Sequence, residues 1–295
     1  MVEGRKEGKG ENKSKRKRIR RKNRKAKTLQ LKLLGNNVDG LYKKLQSLEH
    51  ILLTEKPAVI FLQETKMGRS GRIKTPSCKN FTFYELHRTR EADKGDKEGG
   101  LAIGVINDLN PSWISEGDDN VEALTVEIWV ECFPIRLICG YGPQEYDKKE
   151  RKQSFWSYLN TETQKAQTDG AGLIIQMDGN LWAGKGIIKS DPKNQNQNGK
   201  FFESFLSQNP HLNVVNALPL CEGSITRVRQ TTEQTEETIL DFFVVCDQIL
   251  PLVSKMKIDV HGEISLTRLS GKVVTTDHRM LKLEIDLIFH KEKKT

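Results

Sequence analysis

The stretch Leu173-Ile174-Ile175-Gln176-Met177-Asp178-Gly179-Asn180 constrains everything else in the chain. A largely apolar run leads into an acid, a glycine and an amide. The run reads as a buried strand, and the glycine allows a sharp turn at its end. A carboxylate and a carboxamide are then left side by side at the rim of a sheet, where α/β folds place their chemistry. Alone, the stretch is equally an Asp-Gly turn. Other apolar runs have the same arrangement. Residues 29–34 lead to Asn37 and Asp39, 58–62 to Glu64, and 135–139 to Tyr141, while Asp277 and His278 stand at the entry to 281–288. Asp241 lies inside the run 239–245. An unpaired carboxylate there is costly, so a partner is demanded, and an imidazolium is the natural one.

Periodicity sets the frame. Leu41, Leu45, Leu48, Ile51 and Leu52 recur at helical spacing, and Pro57 stops that helix. Residues 58–62 form a strand buried on both faces. Strands are expected at 81–86, 99–105 and 121–130, and Pro134 breaks the last before a hairpin partner at 135–139. Residues 147–168 read as a helix with Phe155, Trp156 and Leu159 on one face. A short helix follows around Phe202 and Phe205, then a short strand at 214–216. Residues 68–80 and 183–199 read as loops, 88–98 as a charged connection, and 221–238 as a hairpin arm or mobile loop. Trp182 weighs toward a core aromatic over a stacking platform. Strands at 239–245, 256–260 and 281–288 complete the pattern. Many strands and few helices imply one α+β domain over 29–290, with two stacked sheets and helices outside them.

Charge is unevenly spread over the 295 residues. Residues 1–28 hold fourteen Lys or Arg and three Glu, about +11, whereas the net charge of the whole chain is +9. The remainder is therefore near neutral. Such a tail buries too little apolar surface to fold, so it is expected to be disordered. It suits a nuclear-import signal or a nonspecific nucleic-acid arm, against the bland alternative of a solubilising extension. Five cysteines form no CxxC pair and their number is odd, which points to a reducing compartment, nuclear or cytoplasmic. No segment approaches the roughly 18 apolar residues of a membrane span.

The polar groups at the strand ends contain too many carboxylates and too few Cys or His for zinc. Oxygen donors in this number suit Mg²⁺, with Mn²⁺ as a substitute. In order, Asn-Val-Asp-Gly (37–40), Leu-Gln-Glu-Thr-Lys (62–66), Tyr-x-Pro (141–143), Asp-x-Asn (178–180), Leu-Asp-Phe-Phe (240–243) and Asp-His (277–278) resemble the endonuclease/exonuclease/phosphatase superfamily. The likeness spans about 29–288. It implies a DNase I-like, four-layer α/β/β/α sandwich with two stacked mixed β-sheets flanked by helices.

The resemblance also implies roles. Glu64 is the principal metal ligand, with Asp39 and Asp277 near it, directly or through water. Asp178 orients or deprotonates the attacking water, and Asn37 hydrogen-bonds it. Asn180 binds phosphate, His278 faces the scissile phosphate, and Asp241 fixes the imidazole's tautomer and charge. Tyr141 contacts the phosphate or assists the leaving oxygen. Three positions depart from the family pattern: Met177 stands where Gly is usual, Gln144 where Asn is usual, and Asn36 where an aromatic or Ser is commoner.

The expectation is a Mg²⁺-dependent endonuclease that nicks one DNA strand, most like the apurinic-type endonuclease domain of non-LTR retrotransposons, with a reverse transcriptase domain beyond this fragment. Rival substrates of the same chemistry are an abasic site, RNA, or a lipid or inositol phosphate. The rival from another class is an inert nucleic-acid-binding protein.

Overall fold

The computed structural model describes residues 27–68, 72–74, 76–87, 99–118, 120–264, 267–268 and 274–289. The basic tail up to residue 26 and the connection 88–98 lie outside them. In chain order the first strands are β1 (Lys27–Asn37), β2 (Val59–Gln63), β3 (Phe81–Leu86), β4 (Leu101–Ile106), β5 (Ser112–Glu116), β6 (Ala123–Val130), β7 (Phe133–Tyr141) and β8 (Gly172–Asp178). There follow β9 (Leu212–Val214), β10 (Cys221–Glu222), β11 (Arg227–Gln230), β12 (Thr235–Thr238), β13 (Asp241–Cys246), β14 (Val253–Ile258), β15 (Thr267–Arg268), β16 (Val274–Thr275) and β17 (Leu281–Phe289). Among the described residues the α-helices are α1 (Leu45–Glu55), α2 (Lys149–Thr168) and α3 (Gln197–Gln208).

Of the two large sheets, one has the order β10-β14-β17-β1-β2-β4-β3 and the other β5-β6-β7-β8-β13-β9, while β11-β12 and β15-β16 form two-stranded pairs. Both large sheets are mixed: β1 runs parallel to β2 and β7 parallel to β8. Alternation along the strands explains the layering. Leu33, Phe61 and Ile103 join the main core, while Leu34, Ile60, Leu62 and Ala102 pack with Leu48, Ile51 and Leu52 of α1. Phe61 meets Phe243 edge-on at 6.0 Å between ring centroids, which joins the two sheets. On the far side, Phe242 of β13 lies 5.4 Å from Phe202 of α3, and Trp156 of α2 packs against Phe202 and Phe205. The four layers are therefore α1, sheet, sheet, and α2 with α3.

Several boundaries differ from the sequence reading. Pro134 does not break the strand but lies within β7, paired with Trp129. Pairing of β7 with β8 starts at Ile135, so Pro134 precedes the parallel ladder, where a missing N–H is tolerated. The edge strand β5, with its exposed and half-buried residues, has no strong apolar alternation to announce it. Residues 215–217 form a 3₁₀ turn, not a strand, and the short strand ends at Val214. The 183–199 loop ends early because Asn196 caps α3, accepting a hydrogen bond from the Gly199 N–H at 2.8 Å. The polar segment 221–238 is ordered as β10 and the β11–β12 hairpin. Pro57 follows α1 as expected, but Lys56 in the left-handed region makes the cap.

Register brings the strand ends together. β1 and β2 finish side by side (Asn37 opposite Gln63), as do β7 and β8 (Tyr141 opposite Asp178). The antiparallel partners begin at the same rim: Asp241 stands opposite Asp178, and Leu281 opposite Gly35. Two glycines permit close approach there. A Cβ on Gly35 would lie 2.5 Å from the Gln176 side chain, whose Oε1 accepts from Gln63 Nε2 between the sheets at 2.5 Å. A Cβ on Gly142 would lie 2.2 Å from the Gly179 carbonyl oxygen, a backbone atom that cannot swing aside. Gly142→Ala is expected to destabilise the protein by about 1–3 kcal/mol through this overpacking. A lowered urea midpoint checks it, and an unchanged midpoint contradicts the close approach.

Candidate active site

The rim gathers the residues singled out from the sequence. Asn37, Asp39, Glu64, Asp178, Asn180, Asp277 and His278 line one open cleft, together with Gln144, Arg227, Arg229 and Leu240. Asp241 lies fully buried behind His278, and Tyr141 lies beneath Glu64.

Asn37 ends β1 and is buried. Its amide Nδ2 donates to Glu64 Oε1 at 2.9 Å and to Asp178 Oδ2 at 2.8 Å, so one side chain ties the two sheets together. Glu64 Oε1 also accepts from the Tyr141 hydroxyl at 2.7 Å, and Oε2 lies 3.2 Å from Lys66 Nζ. Lys66 reaches Asp39 Oδ1 at 2.5 Å. Partial burial works against the Asp39 charge, but the Lys66 ammonium outweighs it and holds that carboxyl below its usual range.

Asp178 Oδ1 accepts from the Asn180 N–H at 3.1 Å, which shapes the turn. One hydrogen of the Asn180 amide goes to the Gly142 carbonyl at 2.8 Å. Asp178 is 1% exposed, and burial, reinforced by the Asp241 charge, lifts its pKa to about 7 against the pull of His278 and Asn37. The imidazole of His278 holds both Asp241 oxygens through Nδ1, at 2.9 and 3.1 Å. Its Nε2 stands 3.8 Å from Asp178 Oδ2 and 3.9 Å from Asp277 Oδ1. Burial alone would lower the His278 pKa. The Asp241 and Asp178 carboxylates reverse this and bring it to about 10, so the ring is an imidazolium at neutral pH.

Further contacts fix Asp241. Its backbone N–H donates to Thr226 Oγ1 at 3.1 Å, and its carbonyl accepts from Asn216 Nδ2 at 3.0 Å. Tyr141 is different from the expectation in one respect. Its hydroxyl proton is directed to Glu64, and the oxygen accepts from Gln144 Nε2 at 2.7 Å. Burial, then the Glu64 and Asp178 charges, push the phenol well above its usual pKa. In this arrangement Tyr141 orients Glu64 and does not line the cleft.

Asp178, Asp241 and His278 bring ligand atoms within 4.8 Å of one another. The group already contains an imidazolium lying against both acids, which makes it a poor cation site. The corner formed by Glu64 and Asp39 is the better one. Its donors are all oxygen, and the Lys66 ammonium between them shows that the corner draws positive charge. Asp277 lines the same cleft, with Oδ2 already accepting from Arg227 Nε at 2.8 Å.

Backbone strain concentrates here. Asp39, Glu64, Lys66 and Asn180 all have φ between 43° and 51°. Such non-glycine residues cost on the order of 1–3 kcal/mol each and persist where surrounding contacts over-determine them. The Gly40 N–H to Glu64 carbonyl bond (2.8 Å) and the Leu41 N–H to Thr65 carbonyl bond (2.9 Å) are two such contacts.

Sequence reasoning missed Arg227 and Arg229 and gave Lys66 no role. Alternation in Arg227-Val228-Arg229 was the available signal, since a strand would put both arginines on one face. Trp182 is corrected: it is 36% exposed, with Lys193 Nζ 5.3 Å from its ring centroid, because the turn after Asn180 carries it outward. The three departures are accommodated. Met177 is buried in β8, Gln144 binds Tyr141, and Asn36 donates to the His278 carbonyl at 3.4 Å.

Two stacked sheets with helices outside them give the chain a DNase I-like fold, shared with several solved nuclease structures. The chain is similar to the endonuclease domain of TRAS1, a telomere-specific non-LTR retrotransposon, at 18% identity over 90% of this chain and 100% of that one, with a TM-score of 0.59. It is also similar to the AP endonuclease LMAP from Leishmania major, at 17% identity over 88% of each chain and TM-score 0.66. A third is the 3′ phosphatase NExo from Neisseria bound to product DNA hairpin, at 17% identity over 87% of this chain and 100% of that one, TM-score 0.66. At these identities the likeness is one of fold. No family model and no curated protein matches the chain.

The buried pair carries a pH signature. A His pKa raised from 6.5 to about 10 stabilises the folded state fully below 6.5, and that contribution is lost as pH rises toward 10. The stability gap between wild type and Asp241→Asn should therefore narrow as pH climbs through this window. Urea denaturation at a series of pH values checks it, and a gap that widens with pH rules out the assigned pairing.

Proposed function

We propose that this protein is a divalent-metal-dependent endonuclease that hydrolyses one phosphodiester in one strand of DNA, in the manner of retrotransposon target-site nicking. The observation that carries the reading is the pairing, at one cleft, of a buried carboxylate with a pKa near neutrality and an imidazolium 3.8 Å from it. One supplies a base for water and the other a charge for a phosphate oxygen.

Asp178 Oδ2, steadied by Asn37, orients the attacking water and accepts its proton. The His278 Nε2–H donates to a non-bridging phosphate oxygen as negative charge builds there, and Asp241 keeps the ring charged and facing the cleft. The Asn180 side chain, which lines the cleft, would bind the same phosphate. Glu64 and Asp39 would hold the metal, Mg²⁺ with Mn²⁺ as a substitute, with Tyr141 and Asn37 setting the direction of the Glu64 carboxylate. When bound, such a cation supplies charge to the phosphate oxygens and the departing alkoxide.

DNA is favoured as substrate by the NExo neighbour, whose structure holds product DNA, and by the basic tail, which would add salt-sensitive phosphate contacts and suits a nuclear location. An intact strand is favoured over an abasic site by the cleft wall. Beside His278 that wall is Arg227, Arg229 and Leu240, a mostly charged surface, whereas a flipped-out site is held in a snug pocket.

Purified protein should convert supercoiled plasmid to the nicked form with Mg²⁺ and stop on chelation. Asp178→Ala should slow nicking by about 10²–10⁴-fold, the usual worth of a general base. Wild-type nicking by that variant would refute the role given to Asp178. Intact and abasic duplexes should be cut at similar rates, and strong preference for the abasic one would move the assignment to repair. DNA binding without cleavage under any divalent ion would make the protein a binding module.

A further inference from the structure

Arg227 sits on β11 with its backbone bridged to His278. The Val228 N–H donates to the Asp277 carbonyl at 2.9 Å, and the Arg279 N–H to the Thr226 carbonyl at 2.7 Å, so the arm is stitched to the segment that carries the imidazole. Asp277 Oδ2 accepts from Arg227 Nε at 2.8 Å. No other hydrogen bond to the guanidinium is found among the described residues, and Arg227 is one of the residues that line the cleft. A planar fork fixed through Nε is suited to grip a phosphate with two parallel hydrogen bonds.

Resting on the nuclease reading above, we propose that Arg227 binds a backbone phosphate of the polynucleotide beside the scissile one, and that Asp277 is the positioning residue that aims it, not a metal ligand. Asp277 neutralises part of the arginine charge but spends only one oxygen on Nε. The substrate class that follows is a strand of at least two consecutive phosphates. A phosphomonoester or an isolated phosphodiester would leave Arg227 without a partner.

The first test is metal-free binding of a short duplex, followed by fluorescence anisotropy across a salt series. Arg227→Ala should weaken binding and reduce the slope of log affinity against log salt by about 0.9, the value of one phosphate contact. Arg227→Lys should keep the slope but recover only part of the affinity, because the ammonium lacks the fork. Lys165→Ala should change neither, since Lys165 lies near the end of α2 just before β8 begins, the opposite end of that strand from Asp178.

The second test uses nicking. Asp277→Ala should raise KM about tenfold when Arg227 is present and change it less than about threefold in the Arg227→Ala background, with the half-maximal Mg²⁺ concentration unmoved. A shifted Mg²⁺ requirement in both backgrounds would make Asp277 a metal ligand and overturn the positioning role. An unchanged salt slope and KM in Arg227→Ala, in a wild type that nicks, would overturn the phosphate contact alone. A wild type that neither binds nor nicks DNA would overturn the nuclease reading itself.

Discussion

Two carboxylates stand directly opposite each other in a dry place. Asp178 ends β8 and Asp241 begins β13, in register, both buried. Facing side chains on adjacent antiparallel strands are only about 4.5–5.5 Å apart at Cβ, so two negative charges there repel with little water to screen them. The imidazolium of His278 answers this. It comes from the other sheet, from the segment leading into β17, and it lies against both acids. Stacking of the sheets and charge balance at the rim are therefore one requirement. The chain must bring its last strand in between β1 and β14 before the centre of the molecule is electrically satisfied.

The same rim is held by a short relay of hydrogen bonds across the gap. Asn37 from one sheet bridges Glu64 and Asp178, and Tyr141 from the other supports Glu64. Four non-glycine residues in the left-handed region belong to this relay or to its flanks. Strain of that kind is stored where geometry has to be exact for chemistry, and the surrounding packed sheets supply the stability that offsets it. The glycines at 35 and 142 act at the same place by absence, since a single Cβ at either would collide with the groups beneath the site.

Much of the fold was legible. The run at 58–62 carries residues for both neighbouring layers, and its unbroken apolarity announced a strand covered on each side. Acids and amides placed at the ends of apolar runs announced a rim. Asp241 inside an apolar run announced its imidazolium, because a buried carboxylate has few ways to be tolerated. What misled or stayed silent has physical causes. Pro134 reads as a breaker, yet it sits where no ladder partner needs its N–H. β5 is an edge strand, whose exposure erases the alternation that marks buried strands. The hairpin 227–238 is polar because it stands off the core, and polar strands look like loops. Trp182 has core-like chemistry but follows a tight turn that carries it to the surface.

Local composition thus determined which segments are strands and which strand ends carry acids, amides and an imidazole. These properties depend on a residue and its near neighbours. Only the packed structure decided that Lys66 lies between Asp39 and Glu64, that Tyr141 turns its proton inward, and that Arg227 claims Asp277. Apart from Lys66 with its near neighbour Glu64, each of those is a choice of partner among groups tens of residues apart, and such a choice is made by register and sheet stacking, which sequence spacing does not contain.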